Sequence, residues 1–208
     1  IVPAYKIASG DNDFFPLIEV IAKTGKPIIM STGLMNLDEV KKSVLFIKNI
    51  WQENQIKQEL ALLHCVSSYP TPPENANLLT IRELEQVADV VGYSDHTQEL
   101  VNPVAATAMG AKIYEKHFTT DKSLHGPDHR MSLTPEALKQ TIKAIRDTEL
   151  ALGSSEKQVL EGETENRIKL RKSIVANTNI NKDEIIRVVE NTKIIDLGVF
   201  TKSLLLVK

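Results

Sequence analysis

The chain has 208 residues, 42% apolar and 25% charged, an ordinary balance for a soluble globular protein long enough to bury a sizeable core. A formal charge of -2, from 25 basic and 27 acidic residues, leaves no electrostatic footprint for nucleic acid or an anionic membrane, so any anion must be held locally. Cys65 is the single cysteine, which excludes an internal disulfide framework; no apolar run approaches the ~20 residues of a bilayer span and no signal-peptide pattern opens the chain, so a reducing, cytoplasmic setting is expected.

Five times the sequence repeats a short aliphatic run, a polar loop and an amphipathic helical pattern. The first run, AYKIAS (4–9), alternates so that Tyr5 and Ile7 share one face and Lys6 and Ala8 the other. A lysine in such a strand is costly unless its ammonium reaches water or meets an anion. Ser9 and the Gly10 backbone, just beyond it, suit the same anion, and Asp11 follows. Leu17, Val20 and Ile21 mark the next helix.

The second run, KPIIMST (26–32), ends in Ser31, Thr32 and Gly33, turn chemistry that also suits a phosphate. Asn36 with Glu39 three residues on forms a capping box, opening a helix read from Leu37, Val40, Val44 and Ile47. The third run, LALLHC (60–65), leads into HCVSSYP, where His64, Cys65, Ser67 and Tyr69 collect. A Cys-His nucleophilic pair is conceivable there, although a cysteine ending a buried run is as a rule an inert core residue. Tyr69 is held extended by Pro70 and can hydrogen-bond a polyol or a carboxylate; Ile81, Leu84 and Val87 give the following helix.

The fourth run, DVVGYS (89–94), leads into GYSDHT. Ser94, Asp95 and His96 look like a hydrolase triad in miniature, yet neighbours on a strand alternate faces and seldom converge. His96 as a metal ligand with Ser94 as an anion donor is one reading; a polar turn in which Asp95 caps the next helix, marked by Val101, Val104 and Ala108, is the other. The fifth run, AKIYEKHF (111–118), puts Glu115 and His117 on one face, the latter matching His96 at the preceding strand end. Two such imidazoles suit Mn2+, Fe2+ or Zn2+, with Glu115 as third ligand or supporting partner. His125 and His129 have the spacing of a helical metal pair, but Gly126 and Pro127 between them forbid the helix. Thr134, Pro135 and Gly153 cap, open and close the last helix.

Strand–helix alternation implies parallel strands with helical crossovers. Because all five units carry polar residues at the strand's C-terminal end, a (β/α)8 TIM-type barrel fits better than an open sheet, which concentrates them at one switch point. Such a barrel takes ~250 residues, so residues 1–153 are expected to hold its last five βα units, with roughly three strands earlier in the protein. Residues 154–171 are polar and charged and read as a linker; 172–208 has strand-like pieces but is short for an independently stable domain.

YKIASGDN, GKPIIMSTG, LLHCVSSYPTPPENANL, VGYSDHT and GAKIYEKHFTTDKSLHGPDHRMSLTPEAL, in this order, resemble the sialic acid synthase family, which includes the N-acetylneuraminate, legionaminic and pseudaminic acid synthases. SIVANTNINKDEII resembles the opening of the small antifreeze-like (SAF) domain that follows the barrel in that family. The resemblance implies a cytoplasmic transferase that condenses phosphoenolpyruvate with an open-chain N-acyl hexosamine, N-acetylmannosamine or a relative, to a nine-carbon 2-keto sugar acid and phosphate. It also implies Mn2+ on His96 and His117, phosphate on Lys6, Ser9, Ser31 and Ser94, a phosphoenolpyruvate contact at Ser67, the sugar against Tyr69 and Asp128, and Asp11 orienting the reacting water or the enol carboxylate. A domain-swapped homodimer is implied for the full-length protein. Ser67 stands where some members have Asn, and ENTKIIDLGVFTKSLLLVK lacks the Arg-Pro-Gly pattern of the small domain, whose arginine reaches the sugar across the dimer. The family's catalytic Glu and a further phosphate-binding Lys are expected before Ile1. The competing readings are a metal-dependent aldolase or hydrolase on the same barrel, and an inactive fragment.

Overall fold

The computed structural model describes residues 2–176, together with 178, 179, 181, 185 and 192–195. The chain divides into two compact units, Ile1–Gly153 and Ser154–Lys208. In the first, β1 (Tyr5–Ile7), β2 (Ile28–Ser31), β3 (Leu60–Cys65), β4 (Val90–Asp95) and β5 (Ile113–Lys116) form one sheet in sequence order, every pair parallel. The crossovers carry α1 (Phe15–Lys23), α2 (Leu37–Glu53), α3 (Thr80–Leu84) and α4 (Val101–Ala108), and α5 (Pro135–Leu152) follows β5.

Register divides the side chains into two sets. Ile7, Ile28, Met30, Leu60, Leu62, Val91 and Tyr93 pack with the helices into one core, all nearly inaccessible to water. The opposite parity carries Lys6, Ser31, Cys65, Ser94 and Glu115, aligned through the pairings Ser31 to Leu63, Cys65 to Ser94 and Ser94 to Glu115. A flat five-stranded sheet would hold its edge strands about 19 Å apart, four spacings of about 4.8 Å. Yet Lys6 Nζ on β1 lies 3.3 Å from Glu115 Oε2 on β5. The sheet is therefore strongly curled, a partial (β/α) barrel with helices outside and the polar set within. Gly92 on the concave side lets the strands close up, because a Cβ there would sit 2.5 Å from both the Ile113 oxygen and Leu63 Cδ2.

The capping signals hold. Asn36 Oδ1 accepts from the Asp38 and Glu39 N–H groups at 3.0 Å while Glu39 accepts from the Asn36 N–H, and Thr134 accepts from the Ala137 N–H. Pro135 opens α5, and Gly153 ends it at φ 51. Two helix faces differ from the sequence reading. In α1 the buried residues are Ile18, Ile21 and Ala22 while Val20 is 66% exposed; in α4 they are Asn102, Pro103, Ala106 and Thr107, and Val101 is 62% exposed. Thr107 can be buried because its hydroxyl donates to the Pro103 carbonyl.

In the second unit the stretch read as a linker is not all loop: a 3-10 turn at Glu161–Glu163 runs into α6 (Thr164–Leu170). After it β6 (Ser173–Ala176) pairs antiparallel with β7 (Thr192–Ile195). Most of the segment likened to an antifreeze-like domain, with the tail lacking Arg-Pro-Gly, lies outside the described residues. Among the described residues no helix is long and apolar enough to cross a membrane.

Candidate active site

The C-terminal ends of the five strands surround a cleft of about 460 Å³ lined by residues of every βα unit, among them Lys6, Ser9, Ser31, Cys65, Ser67, Tyr69, Ser94, His96, Glu115 and His117. One side of it gathers an ammonium and several hydroxyls. Lys6 Nζ donates to Ser31 Oγ at 2.9 Å, and the Gly33 N–H donates to Ser9 Oγ at 3.2 Å. A Cβ at Gly33 would lie 2.4 Å from Ser67 Oγ, 2.6 Å from Ser9 Oγ and 3.1 Å from Cys65 Sγ, so it would fill the space these groups enclose. Of the two hydroxyls expected here only Ser31 turns inward; Thr32 spends its own on the Leu63 carbonyl. Asn12 supports the loop, donating to the Ser31 and Gly33 carbonyls at 3.1 and 2.8 Å while its own carbonyl accepts from Ser43.

Asp11, beside it, is exposed and is not among the residues lining the cleft, because the tight turn that bonds its N–H to the Ala8 carbonyl gives the buried place to Asn12. Neither Asn12 nor the role of Gly33 in leaving room was read from the sequence, although the MSTG turn pointed to the second.

Across the cleft the rings of His96 and His117 lie 5.3 Å apart between centroids. His96 is 6% exposed, and burial holds its imidazole below the usual histidine value, so the neutral ring prevails at neutral pH. Its Nδ1 is 3.1 Å from the Val66 carbonyl oxygen. A carbonyl can only accept, so Nδ1 bears the hydrogen and Nε2 is left with the lone pair. That is the state of a ligating histidine with a backbone supporting partner. His117 Nδ1 lies 3.7 Å from Asp128 Oδ2, which brings that expected sugar contact to the site. Tyr69, half exposed and followed by a cis bond to Pro70, sets its ring edge against both imidazoles at 4.3 and 6.0 Å.

Glu115 sits between the two halves. Its Oε1 accepts from Ser94 Oγ at 2.7 Å and its Oε2 faces Lys6. Both of its oxygens are thus engaged, one by Ser94 and one by Lys6. Among the described residues no group of three or more His, Cys, Asp or Glu side chains is placed to hold a metal ion. The residues present fit a divalent cation carried on two neutral imidazoles, with substrate and water completing the shell.

Other expectations change. His64 alternates to the helix side, where its Nε2 donates to the Ala76 carbonyl at 2.7 Å and its ring stacks on Tyr93. Cys65 Sγ is 3.9 Å from His96 Nδ1, but the proton on that nitrogen belongs to the Val66 bond, so His96 is no base for the thiol. Asp95 does not cap α4: it accepts from the Thr97 N–H and hydroxyl, the Tyr114 hydroxyl and Lys116, facing away from His96. His129 Nδ1 bonds the Thr119 hydroxyl at 2.7 Å in a non-helical loop that Gly126 enters at φ 146, so His125 and His129 form no metal pair.

The profile of the NeuB family matches residues 1–157. The chain is 41% identical over 183 residues to N,N'-diacetyllegionaminic acid synthase of Campylobacter jejuni, covering 87% of this chain and 54% of that protein. It is 38% identical over 187 residues to human N-acetylneuraminate-9-phosphate synthase, covering 89% of this chain and 50% of that one. The chain therefore spans about half the length of these curated relatives. The crystal structure of an N-acetylneuraminic acid synthetase from Leptospira borgpetersenii superposes with a TM-score of 0.72 at 34% identity, over 81% of this chain and 59% of that one.

Proposed function

Because the chain belongs to the NeuB family, the sialic acid synthases, we propose that it carries the phosphoenolpyruvate and metal sites of an enzyme condensing phosphoenolpyruvate with an open-chain N-acyl hexosamine. The product is a nine-carbon 2-keto sugar acid, with release of phosphate. The observation that carries this reading is the convergence, on one cleft, of an anion cradle (Lys6, Ser9, Ser31, Gly33, Ser67, Ser94) with a pair of imidazoles whose proton placement suits a cation.

In this reading Lys6 supplies the fixed positive charge for the phosphate, and the Ser9, Ser31 and Ser67 hydroxyls that line the same cleft donate to its remaining oxygens, the Gly33 N–H holding Ser9 in place. His96 and His117 would hold a divalent cation, Mn2+ being the family's usual choice, which would supply Lewis-acid polarisation of the sugar aldehyde. Tyr69 and Asp128 flank the imidazoles and orient the sugar. A new C–C bond forms from C3 of phosphoenolpyruvate to the aldehyde carbon while the aldehyde oxygen takes up a proton, water adds at C2, and the C2–O bond to phosphate breaks as the C2 hydroxyl gives up its proton to leave the ketone. Glu115, hydrogen-bonded to Ser94 beside Lys6, is the carboxylate at hand to take the proton of that water.

Isothermal titration of phosphoenolpyruvate into the protein with Mn2+ present tests the reading. Saturable binding that Lys6→Met removes is expected; no binding sinks it and favours a metal-dependent aldolase or hydrolase. Mass-spectrometric product assays of the full-length enzyme with N-acetylmannosamine, its 6-phosphate and 2,4-diacetamido sugars then choose the acceptor.

A further inference from the structure

Directly behind the two imidazoles, on the helix side of the sheet, Asp95 and Lys116 face each other in register at the ends of β4 and β5. Each is the residue immediately before one of the histidines. Their ions meet at 3.1 Å with side chains only 2% and 5% exposed. Asp95 is the hub of a closed network: Oδ2 also accepts from the Tyr114 hydroxyl at 2.7 Å, and Oδ1 accepts from the Thr97 N–H and hydroxyl, each at 2.7 Å. Asn102 holds the Thr97 hydroxyl at 2.8 Å, and Lys116 also donates to the Thr97 carbonyl.

A buried ion pair of this kind is a poor source of stability, since desolvation offsets most of the attraction and an apolar pair of equal volume does as well or better. What it can supply is geometry. The bond from the Thr97 N–H to Asp95 Oδ1 closes a turn around His96, and the lysine ties that turn to the last residue before His117. Inside the turn His96 is fixed at two further points, its Nδ1 on the Val66 carbonyl and its own carbonyl accepting the Thr71 N–H at 2.9 Å.

We propose that the Asp95–Lys116 pair is a positioning brace that sets the separation of His96 and His117 and the tautomer of His96. The metal consequence rests on the reading of those histidines as ligands; the tautomer consequence does not. The double variant Asp95→Asn with Lys116→Met keeps shape and an acceptor for the Thr97 N–H while removing both charges. With the fold retained by circular dichroism and thermal midpoint, its Mn2+ affinity by calorimetry should fall about 10–100-fold, the usual effect of losing a partner that orients a ligand. Nitrogen NMR should show His96 passing from one Nδ1–H tautomer to a mixture. If the double variant does not fold, Tyr114→Phe, which removes one bond to Asp95 and no volume, should produce a smaller loss of the same sign in both readouts. A folded variant with wild-type tautomer and wild-type Mn2+ affinity overturns the brace. If the wild-type protein takes up no Mn2+ while the tautomer still follows the pair, the brace stands and the ligand assignment falls.

Discussion

Lys6 and Glu115, 109 positions apart in sequence and on opposite edges of the sheet, meet at 3.3 Å. Their side chains are only 33% and 42% exposed, and Ser31 and Ser94 hold the far side of each. The ammonium is thus kept pointing into the cleft by a carboxylate that a phosphate competes with. Replacing Lys6 by Met removes the one cation of the cradle and should weaken phosphoenolpyruvate binding about 10–100-fold, the range for a hydrogen bond to a charged group. Calorimetry measures this, and phosphoenolpyruvate affinity unchanged in Lys6→Met would move the anion site elsewhere.

Gly33 tests the cradle by volume rather than charge. A Cβ there would lie 2.6 Å from the Ser9 hydroxyl and 2.4 Å from the Ser67 hydroxyl and displace both, so Gly33→Ala should lower affinity for phosphoenolpyruvate and for inorganic phosphate together, by about tenfold or more. Gly10→Ala on the wall of the same cleft, where a Cβ would meet nothing within 4 Å, should change both constants less. Equal effects of the two changes would show that loop strain, not occupancy of the cradle, is being measured.

The inward-facing half of the site was largely legible because strand alternation has a period of two: once Lys6 is placed inside, Ser31, Ser94 and Glu115 follow by register. The same parity sends His64 and Asp95 outward, although each sits beside residues that face the cleft. Helix faces were less legible. Val20 and Val101 are apolar yet exposed, while Asn102 and Thr107 are buried through hydrogen bonds whose partners a hydropathy pattern does not carry. The Lys116 partner of Asp95 is 21 positions away, and Val66, whose carbonyl accepts from His96 Nδ1, is 30 positions away; neither spacing marks itself in a sequence.

His96→Ala and His117→Ala should each abolish metal-dependent turnover of the full-length enzyme, and each should cut Mn2+ uptake by this chain, since among the described residues these two imidazoles are the ones that line the cleft. Wild-type activity in either variant without excess metal would refute the assignment. Cys65→Ser serves as the control. The thiol is 7% exposed, His96 beside it has its Nδ1 proton engaged by Val66, and His64 is bonded to the Ala76 carbonyl on the helix side, so turnover should change by less than about threefold. A loss of about three orders of magnitude in a folded Cys65→Ser variant would instead implicate the thiol as nucleophile.

His64 predicts a pH dependence of stability that is separate from catalysis. Its ring is 5% exposed, stacked on Tyr93 and donating to the Ala76 carbonyl; burial lowers its pKa from 6.5 although that hydrogen bond pulls the other way. Below 6.5 the unfolded chain therefore binds a proton that the folded chain refuses, so stability falls with falling pH until the folded value is reached, and is fully present above 6.5. The slope from this one group is at most about 1.4 kcal/mol per pH unit. Urea midpoints at pH 7.5 and 5.5 should separate in the wild type more than in His64→Gln, which keeps a donor for the Ala76 carbonyl but cannot titrate. An equal separation in the two proteins would assign the acid sensitivity to other groups.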